Sequence, residues 1–382
     1  MYSSPAAAHP ELRAAVRDFA DSVVKPLAPR TDREHRFPEE AISAAAELDL
    51  MGILIPEEYG GAGLDAVAMT ICIEEIARAC ASTAVIVDVH NSVACEPILL
   101  FGTDEQKRRW LPAMARGEVL GAFALTEPAS GSDAGALQTS ARRIGDEYVL
   151  NGRKVFITLL GRAGLYLVFA RTDPDQPGAR GVSAFLVPAD TPGVRPGQVF
   201  DKMGLNGSPT GELVLEDAVV PAGALLLEPG GGFRIAMRAL DSGRIGISAQ
   251  ALGIAVAAFG DALTFSRERR QFGRPVAEFQ GLTFLLADMA TRIEAARNLT
   301  YHAAALCAAG RPFTREASMA KLFTTDTAMA IATDAIQVAG GYGYIQDYPF
   351  ERYFRDAKAC QIYEGTNQIQ RVVIARALLG GD

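Results

Sequence analysis

The sequence predicts an α+β protein in three parts. These are an N-terminal α-helical domain over residues 1–120, a middle β domain (barrel or sandwich) over 121–230, and a C-terminal, four-helix-bundle-like α domain over 231–382. Three observations predict it. Apolar residues recur at helical spacing through the first third. Short β-prone runs separated by glycine and proline fill the middle. Long alanine-rich stretches with few breaks follow Gly230-Gly231-Gly232. A chain of 382 residues also exceeds what one small core needs.

In the first third, Leu12, Val16, Phe19 and Val23 mark a helix over 10–25, which Pro26 and Pro29 are expected to break. Pro38 opens a second helix over 38–50. A loop at Tyr59-Gly60-Gly61-Ala62-Gly63 precedes helices over 66–79, 84–101 and 104–116. In the middle, residues 148–150 and 154–158 flank Asn151-Gly152, which predicts a hairpin with a type I′ turn. Further β-prone runs are 165–171, 182–187 and 213–215, set apart by Pro174, Pro177, Gly178, Pro192, Gly193, Gly207 and Pro209. The last third predicts helices over 233–264, 276–309, 314–339, 350–359 and 367–379.

Composition excludes several function classes. With 37 basic against 45 acidic residues, a net charge of -8 argues against a nucleic-acid surface. The five cysteines form no CxxC pair and suit buried thiols in a reducing cytoplasm. Four scattered histidines have no metal-ligand spacing and form no dyad with a nucleophile, so no metal is expected. No basic region precedes an apolar run near the start, so no signal peptide is expected. The apolar stretch 245–260 is too short and too polar for a bilayer, so no membrane partner is expected.

The most informative segment is Ile362-Tyr363-Glu364-Gly365-Thr366-Asn367-Gln368-Ile369-Gln370-Arg371. Gly365 lets a ligand approach the backbone beside Glu364. Apolar neighbours such as Tyr363 would raise the Glu364 pKa and suit it to act as a base. The plainer reading is a helix start capped by Thr366. A second segment, Leu125-Thr126-Glu127-Pro128-Ala129-Ser130-Gly131-Ser132-Asp133, offers hydroxyls and a glycine after an apolar run. Val155-Phe156-Ile157-Thr158, Arg269-Arg270-Gln271-Phe272-Gly273 and Gln337-Val338-Ala339-Gly340-Gly341 complete an ordered set.

This set resembles the acyl-CoA dehydrogenase family of flavoenzymes, over nearly the whole chain. The resemblance implies FAD as cofactor, an acyl-CoA substrate, an electron-transfer flavoprotein as partner, and a homotetramer arranged as a dimer of dimers. It implies that Glu364 is the catalytic base. It places Phe123, Leu125, Thr126, Ser132, Phe156 and Thr158 at the flavin. Arg269, Gln271, Phe272, Gln280, Gln337, Gly340 and Gly341 would reach the flavin of a neighbouring subunit or its nucleotide, with Thr366 and Gln368 as further cofactor contacts. Ser132, Asp241, Arg244, Tyr363 and Gly365 would face the acyl-CoA.

Plainer readings stand beside these: a helix end near Arg269, a helix stop at Gly340-Gly341, and an i, i+3 ion pair between Asp241 and Arg244. The chain departs from the family where Phe156 replaces the usual Trp and where Leu159 and Leu160 follow Thr158. Gly243 stands where the isovaleryl and long-chain subgroups carry their glutamate, so the resemblance points to the short-, medium- and branched-chain members, and the run 243–253 looks most like the short-chain and short-branched subgroups. Two alternatives share the chemistry: an acyl chain held by a carrier protein, and a flavoprotein oxidase on this fold. A helical scaffold without cofactor is the non-enzymatic alternative.

Overall fold

The computed structural model describes residues 5–176 and 178–380. The turn expected at Pro177 lies outside them, as do the first residues of the N-terminal stretch.

The N-terminal domain holds α1 (Pro10–Phe19), α2 (Lys25–Arg33), α3 (Glu39–Glu47), α4 (Ala66–Ala79), α5 (Ala81–Val89), α6 (Glu96–Phe101) and α7 (Asp104–Ala115). Caps explain two of the starts. Asp65 accepts from the N–H groups of Val67 and Ala68, and Thr103 and Gln106 form a reciprocal capping box at α7. The expected break at Pro26 and Pro29 does not occur. A π-helical turn, Ala20–Val24, joins α1 to α2. Its wider ring puts Pro26 in a first turn, where a missing N–H costs nothing. A second π-helical turn, His90–Cys95, joins α5 to α6.

The middle domain is one sheet of β1 (Gly121–Ala124), β2 (Ser140–Ile144), β3 (Glu147–Thr158), β4 (Leu165–Arg171), β5 (Val182–Pro188), β6 (Val194–Val199), β7 (Thr210–Pro221) and β8 (Leu225–Leu226). The order is β6-β7-β3-β2-β4-β5-β8, with β1 parallel to β4. The expected hairpin at Asn151-Gly152 is not there. β3 runs straight through both residues, and the turn is at Gly145-Asp146 between β2 and β3. Asn151 instead exchanges bonds with Asp217 of β7, at 2.9 and 2.8 Å. Gly152 is extended, and a Cβ there would lie 2.4 Å from Thr139 Oγ1. Its glycine serves a close approach, not a turn. β6 was absent from the sequence reading because most of its residues are exposed.

The C-terminal domain holds α8 (Gly232–Glu268), a two-stranded ribbon of β9 (Arg270–Gln271) and β10 (Arg274–Pro275), α9 (Gln280–Ala308), α10 (Thr314–Ala339), α11 (Phe350–Cys360) and α12 (Asn367–Leu379). α8 is the central rod. Its glycines let neighbours approach closely: a Cβ on Gly253 would lie 2.4 Å from the Glu74 carbonyl oxygen of α4. The stretches Ala81–Phe101 and Gly232–Glu268 are long and apolar enough to cross a membrane. Within each, 83% and 78% of the most apolar window is buried inside the fold, as core helices require.

Candidate active site

Glu364 occupies the short loop between α11 and α12. Its backbone is left-handed at φ 52°, rare for a side chain of this size, and Gly365 follows at φ 90°. Several groups hold this loop. Lys321 of α10 donates to the Gly365 carbonyl at 2.8 Å and to Asn367 Oδ1 at 3.0 Å. Gln370 Nε2 donates to the same carbonyl at 2.8 Å and to that of Glu364 at 3.3 Å. Asn367 Nδ2 donates to Thr325 and Asp326. Thr366 does cap α12, accepting from the Ile369 N–H at 3.3 Å. The plainer reading of Thr366 therefore holds alongside the loop's special geometry.

The side chain lies over α8. A Cβ on Gly243 would come to 2.1 Å from Glu364 Oε2, so a side chain there would push the carboxylate out of its present position. Oε2 is buried and accepts no hydrogen bond among the described residues. Burial raises the Glu364 pKa to about 7, with Arg244 and Lys321 pulling it back. Burial pushes Lys321 down to about 8. Tyr363 donates from its hydroxyl to Gln250, whose amide reaches the Ala81 carbonyl at 3.0 Å.

Arg244 and Asp241 form the expected i, i+3 pair at 2.7 Å, and Thr314 donates to the other Asp241 oxygen. Both residues are buried, and Arg244 lies beside Gly365. Glu364, Gly365, Tyr363, Asp241 and Arg244 are thus brought together. Asp88 of α5 joins them. It is fully buried, neither carboxylate oxygen is bonded, and burial together with Glu364 holds its pKa well above the usual carboxylate range. Lys321 and Asp88 escaped the sequence reading. The available signal was a charged residue inside an apolar helical run: Asp88 in 85–93, and Lys321, with Asp326, in 317–332.

A second group gathers at the sheet. The Val155 N–H donates to the Thr126 carbonyl at 2.9 Å. Lys154 is fully buried and reaches the Leu125 carbonyl at 3.1 Å and Glu127 Oε1 at 2.7 Å. Glu127 also accepts from the N–H groups of Gln138 and Thr139. This clasp fixes the loop carrying Thr126 and Ser132 against β3. The β3–β7 pairing is irregular between Lys154 and Ile157, and there Phe156 is left-handed (φ 58°) and 67% exposed, its ring 5.3 Å from Phe200. Thr158 is half-buried, while Leu159 and Leu160 turn into the core. A Cβ on Gly131 would meet only Thr126 Cγ2, at 4.0 Å. An exposed aromatic plate, threonines and an open glycine loop fit a planar ring with a polar edge.

A third group stays apart. Arg269, Gln271, Phe272, Gln280, Gln337, Gly340 and Gly341 are exposed. Phe272 is 93% exposed, and added Cβ atoms at Gly340 or Gly341 would meet nothing within 4 Å. Arg269 lies over the Tyr342 ring at 5.3 Å. Among the described residues, no hydrogen bond, ion pair or ring contact joins this patch to Glu364. Ser132 and Gln368 are exposed as well.

Comparison with known proteins agrees with this arrangement. The acyl-CoA dehydrogenase N-terminal, middle and C-terminal domain families match residues 6–118, 122–218 and 230–379. An acyl-CoA dehydrogenase of Bacillus subtilis (strain 168) is 53% identical over 370 residues, covering 97% of each chain. The mitochondrial short-chain specific acyl-CoA dehydrogenase of Bos taurus is 50% identical over 371 residues, covering 97% of this chain and 90% of that protein. The solved butyryl-CoA dehydrogenase from Megasphaera elsdenii superposes with a TM-score of 0.95 at 44% identity, covering 97% of both chains. The chain belongs to the acyl-CoA dehydrogenase family, whose members are FAD-dependent oxidoreductases.

Proposed function

We propose that this enzyme introduces a trans double bond between Cα and Cβ of a short acyl-CoA, with Glu364 removing the α-proton. The carrying observation is the Glu364 carboxylate itself. Its Oε2 is buried over Gly243 and accepts no hydrogen bond among the described residues, with a pKa raised to about 7. A base so placed is half ionised near neutral pH and stays strong enough to take a weakly acidic proton. The nearby cations Arg244 and Lys321 favour its ionised form.

The Glu364 N–H has no protein acceptor among the described residues, and the left-handed backbone orients it for the thioester oxygen. A donor there stabilises the negative charge that develops as the proton leaves. The Asp241–Arg244 pair and Tyr363 hold the thioester arm in register. FAD, when bound, supplies the hydride acceptor that no side chain offers. Phe123, Leu125, Thr126, Ser132, Phe156 and Thr158 would hold its ring, and Thr366 and Gln368 would add contacts at the loop.

The exposed patch at Arg269–Phe272, Gln280, Gln337 and Gly340-Gly341 would complete the cofactor site of a neighbouring subunit, in a homotetramer. An electron-transfer flavoprotein would take the electrons, in the cytoplasm. Arg269→Ala should loosen FAD about tenfold by removing a charge-assisted bond, read as cofactor released on dilution. A stable monomer with full FAD would overturn the shared site.

The deciding experiment is anaerobic mixing of Glu364→Gln with butyryl-CoA, following flavin bleaching and α-deuterium exchange. Gln keeps volume and polarity but takes no proton, so both should fall by roughly 10³-fold or more. If both proceed within about tenfold of wild type, Glu364 is not the base.

A further inference from the structure

We infer that the acyl pocket is built for a short thioester whose chain carries a cationic nitrogen, and that Asp88 receives that cation. The inference rests on Glu364 marking the position of the α-carbon.

Asp88 is 0% exposed and makes no ion pair or side-chain hydrogen bond among the described residues. The nearby Ser92 hydroxyl gives its bond to the Asp88 carbonyl oxygen, at 2.8 Å. Several buried carboxylates elsewhere meet cations, while Asp356, among the described residues, accepts only the Leu205 N–H, at 2.6 Å. Glu75 meets Arg13 and Arg17, Asp32 meets Arg355, and Glu127 meets Lys154. A dry, unmatched carboxylate is costly unless something else answers it.

Asp88 lines a cavity of about 230 Å³ between α4, α5, α6 and α8. The other polar side chains there are Asp65, Ser92, Glu96, Arg238 and Ser242. Arg238 is already engaged, by Glu96 at 2.8 Å and by Ser242. Glu96 Oε2 is also buried and unbonded. With Asp65 engaged in capping α4, Asp88 and the free Glu96 oxygen leave the wall acidic, while Met69, Leu99 and Ile245 keep it largely apolar. Among the described residues, no three possible ligands cluster to hold a metal ion. Burial favours the protonated carboxyl, and an ammonium carried on an organic ligand is the partner that would let Asp88 ionise there.

Its place on that ligand follows from α8. Gly243 lies under Glu364, and Gly246 lies under Asp88, where a Cβ would come to 1.9 Å from Oδ1. The two glycines are three residues apart, about 4.5 Å along the helix axis. The two carboxylates are neighbours on one helix face. A nitrogen a few bonds beyond the α-carbon reaches Asp88, whereas a plain hydrocarbon chain leaves it unanswered.

The test compares 4-(dimethylammonio)butyryl-CoA with its neutral isostere, 5-methylhexanoyl-CoA, using anaerobic flavin reduction by the FAD-loaded enzyme, with butyryl-CoA as control. Wild type should prefer the ammonium thioester at least about tenfold in rate constant over dissociation constant, since unpaired polar groups penalise the wrong analogue heavily. Asp88→Asn should lower that ratio at least about tenfold. The wild-type comparison stands even if the variant misfolds. Equal or reversed preference in wild type overturns the inference. So does a ratio unchanged in Asp88→Asn, or a variant whose only change is a shifted pH profile with butyryl-CoA, since Asp88 would then serve the base. If butyryl-CoA also fails to bleach the flavin, the dehydrogenase reading itself fails and this inference falls with it.

Discussion

Two clefts of nearly equal size each gather buried carboxylates, and they are opposites. One, of about 240 Å³, is lined by Arg13, Arg17, Glu74, Glu75, Arg78 and Arg297. The other, of about 230 Å³, is lined by Asp88, Glu96 and Arg238, and lies beside Glu364. In the first, nearly every charge is answered. Glu75 accepts from Arg13 at 2.5 Å and Arg17 at 2.8 Å, and Glu74 accepts from Arg297 at 3.0 Å and Tyr301 at 2.5 Å. In the second, Asp88 and one oxygen each of Glu96 and Glu364 are bare. The first cleft ties α1, α4 and α9 together and has nothing left to offer a ligand. The second holds its charges apart and unsatisfied, which is how a site keeps reactivity at a cost in stability.

Substitutions should separate the two clefts. The largest effect expected is the loss of flavin reduction in Glu364→Gln, with little loss of fold. Glu74→Ala should do the reverse. It takes the acceptor from the Tyr301 hydroxyl and one partner each from Arg13 and Arg297, and breaking such a buried network costs about 3–5 kcal/mol. Thermal unfolding should show a large fall in Tm, while flavin reduction at 25 °C stays within about twofold, because additive, distant sites do not interact. Loss of catalysis without loss of stability would dissolve the contrast.

pH gives the next effect. Glu364 acts only when ionised, so reduction by butyryl-CoA should rise about tenfold per pH unit up to about 7, then level off. Stability should run the other way. Burial raises this pKa in the folded state, so its contribution is fully present below the ordinary carboxylate range and is lost as pH rises through about 7. Unfolding of wild type and Glu364→Gln across pH 5–8 checks the sign: the variant should gain relative stability towards pH 8. The smallest effect concerns Asp88→Asn. Removing an unanswered buried charge should leave stability unchanged or raise it by about 1 kcal/mol. A clear destabilisation would mean that Asp88 has a partner in the folded chain.

The helices were legible because their signals are local. The spans 66–79, 314–339 and 367–379 follow from apolar spacing and end at the same residues in the structure. The loop bearing Glu364 was legible because glycine, aromatic and carboxylate are adjacent in sequence. What failed depended on distant partners. Asn151-Gly152 has the composition of a turn, yet Asp217 and Thr139 claim it for a continuous strand. The break at Pro26 depended on a π-helical turn that no composition announces. Asp88 was invisible as a site residue because a carboxylate in a helix is ordinary until its neighbours are known. Its neighbours, Gly246 and Glu364, lie more than 150 positions further along.

Gly243 has a consequence for how such an enzyme can change over generations. The space above it holds the Glu364 carboxyl: a methyl carbon at 243 would come to 2.1 Å from Oε2, so the carboxyl would have to swing aside. The same space can be reached by a side chain from α8 or from the loop before α12. Gly243→Glu alone would crowd two acids into one berth, and Glu364→Gly alone would leave it empty. On this geometry, moving the base from one wall to the other without crowding or emptying the berth takes a paired exchange, not a single step.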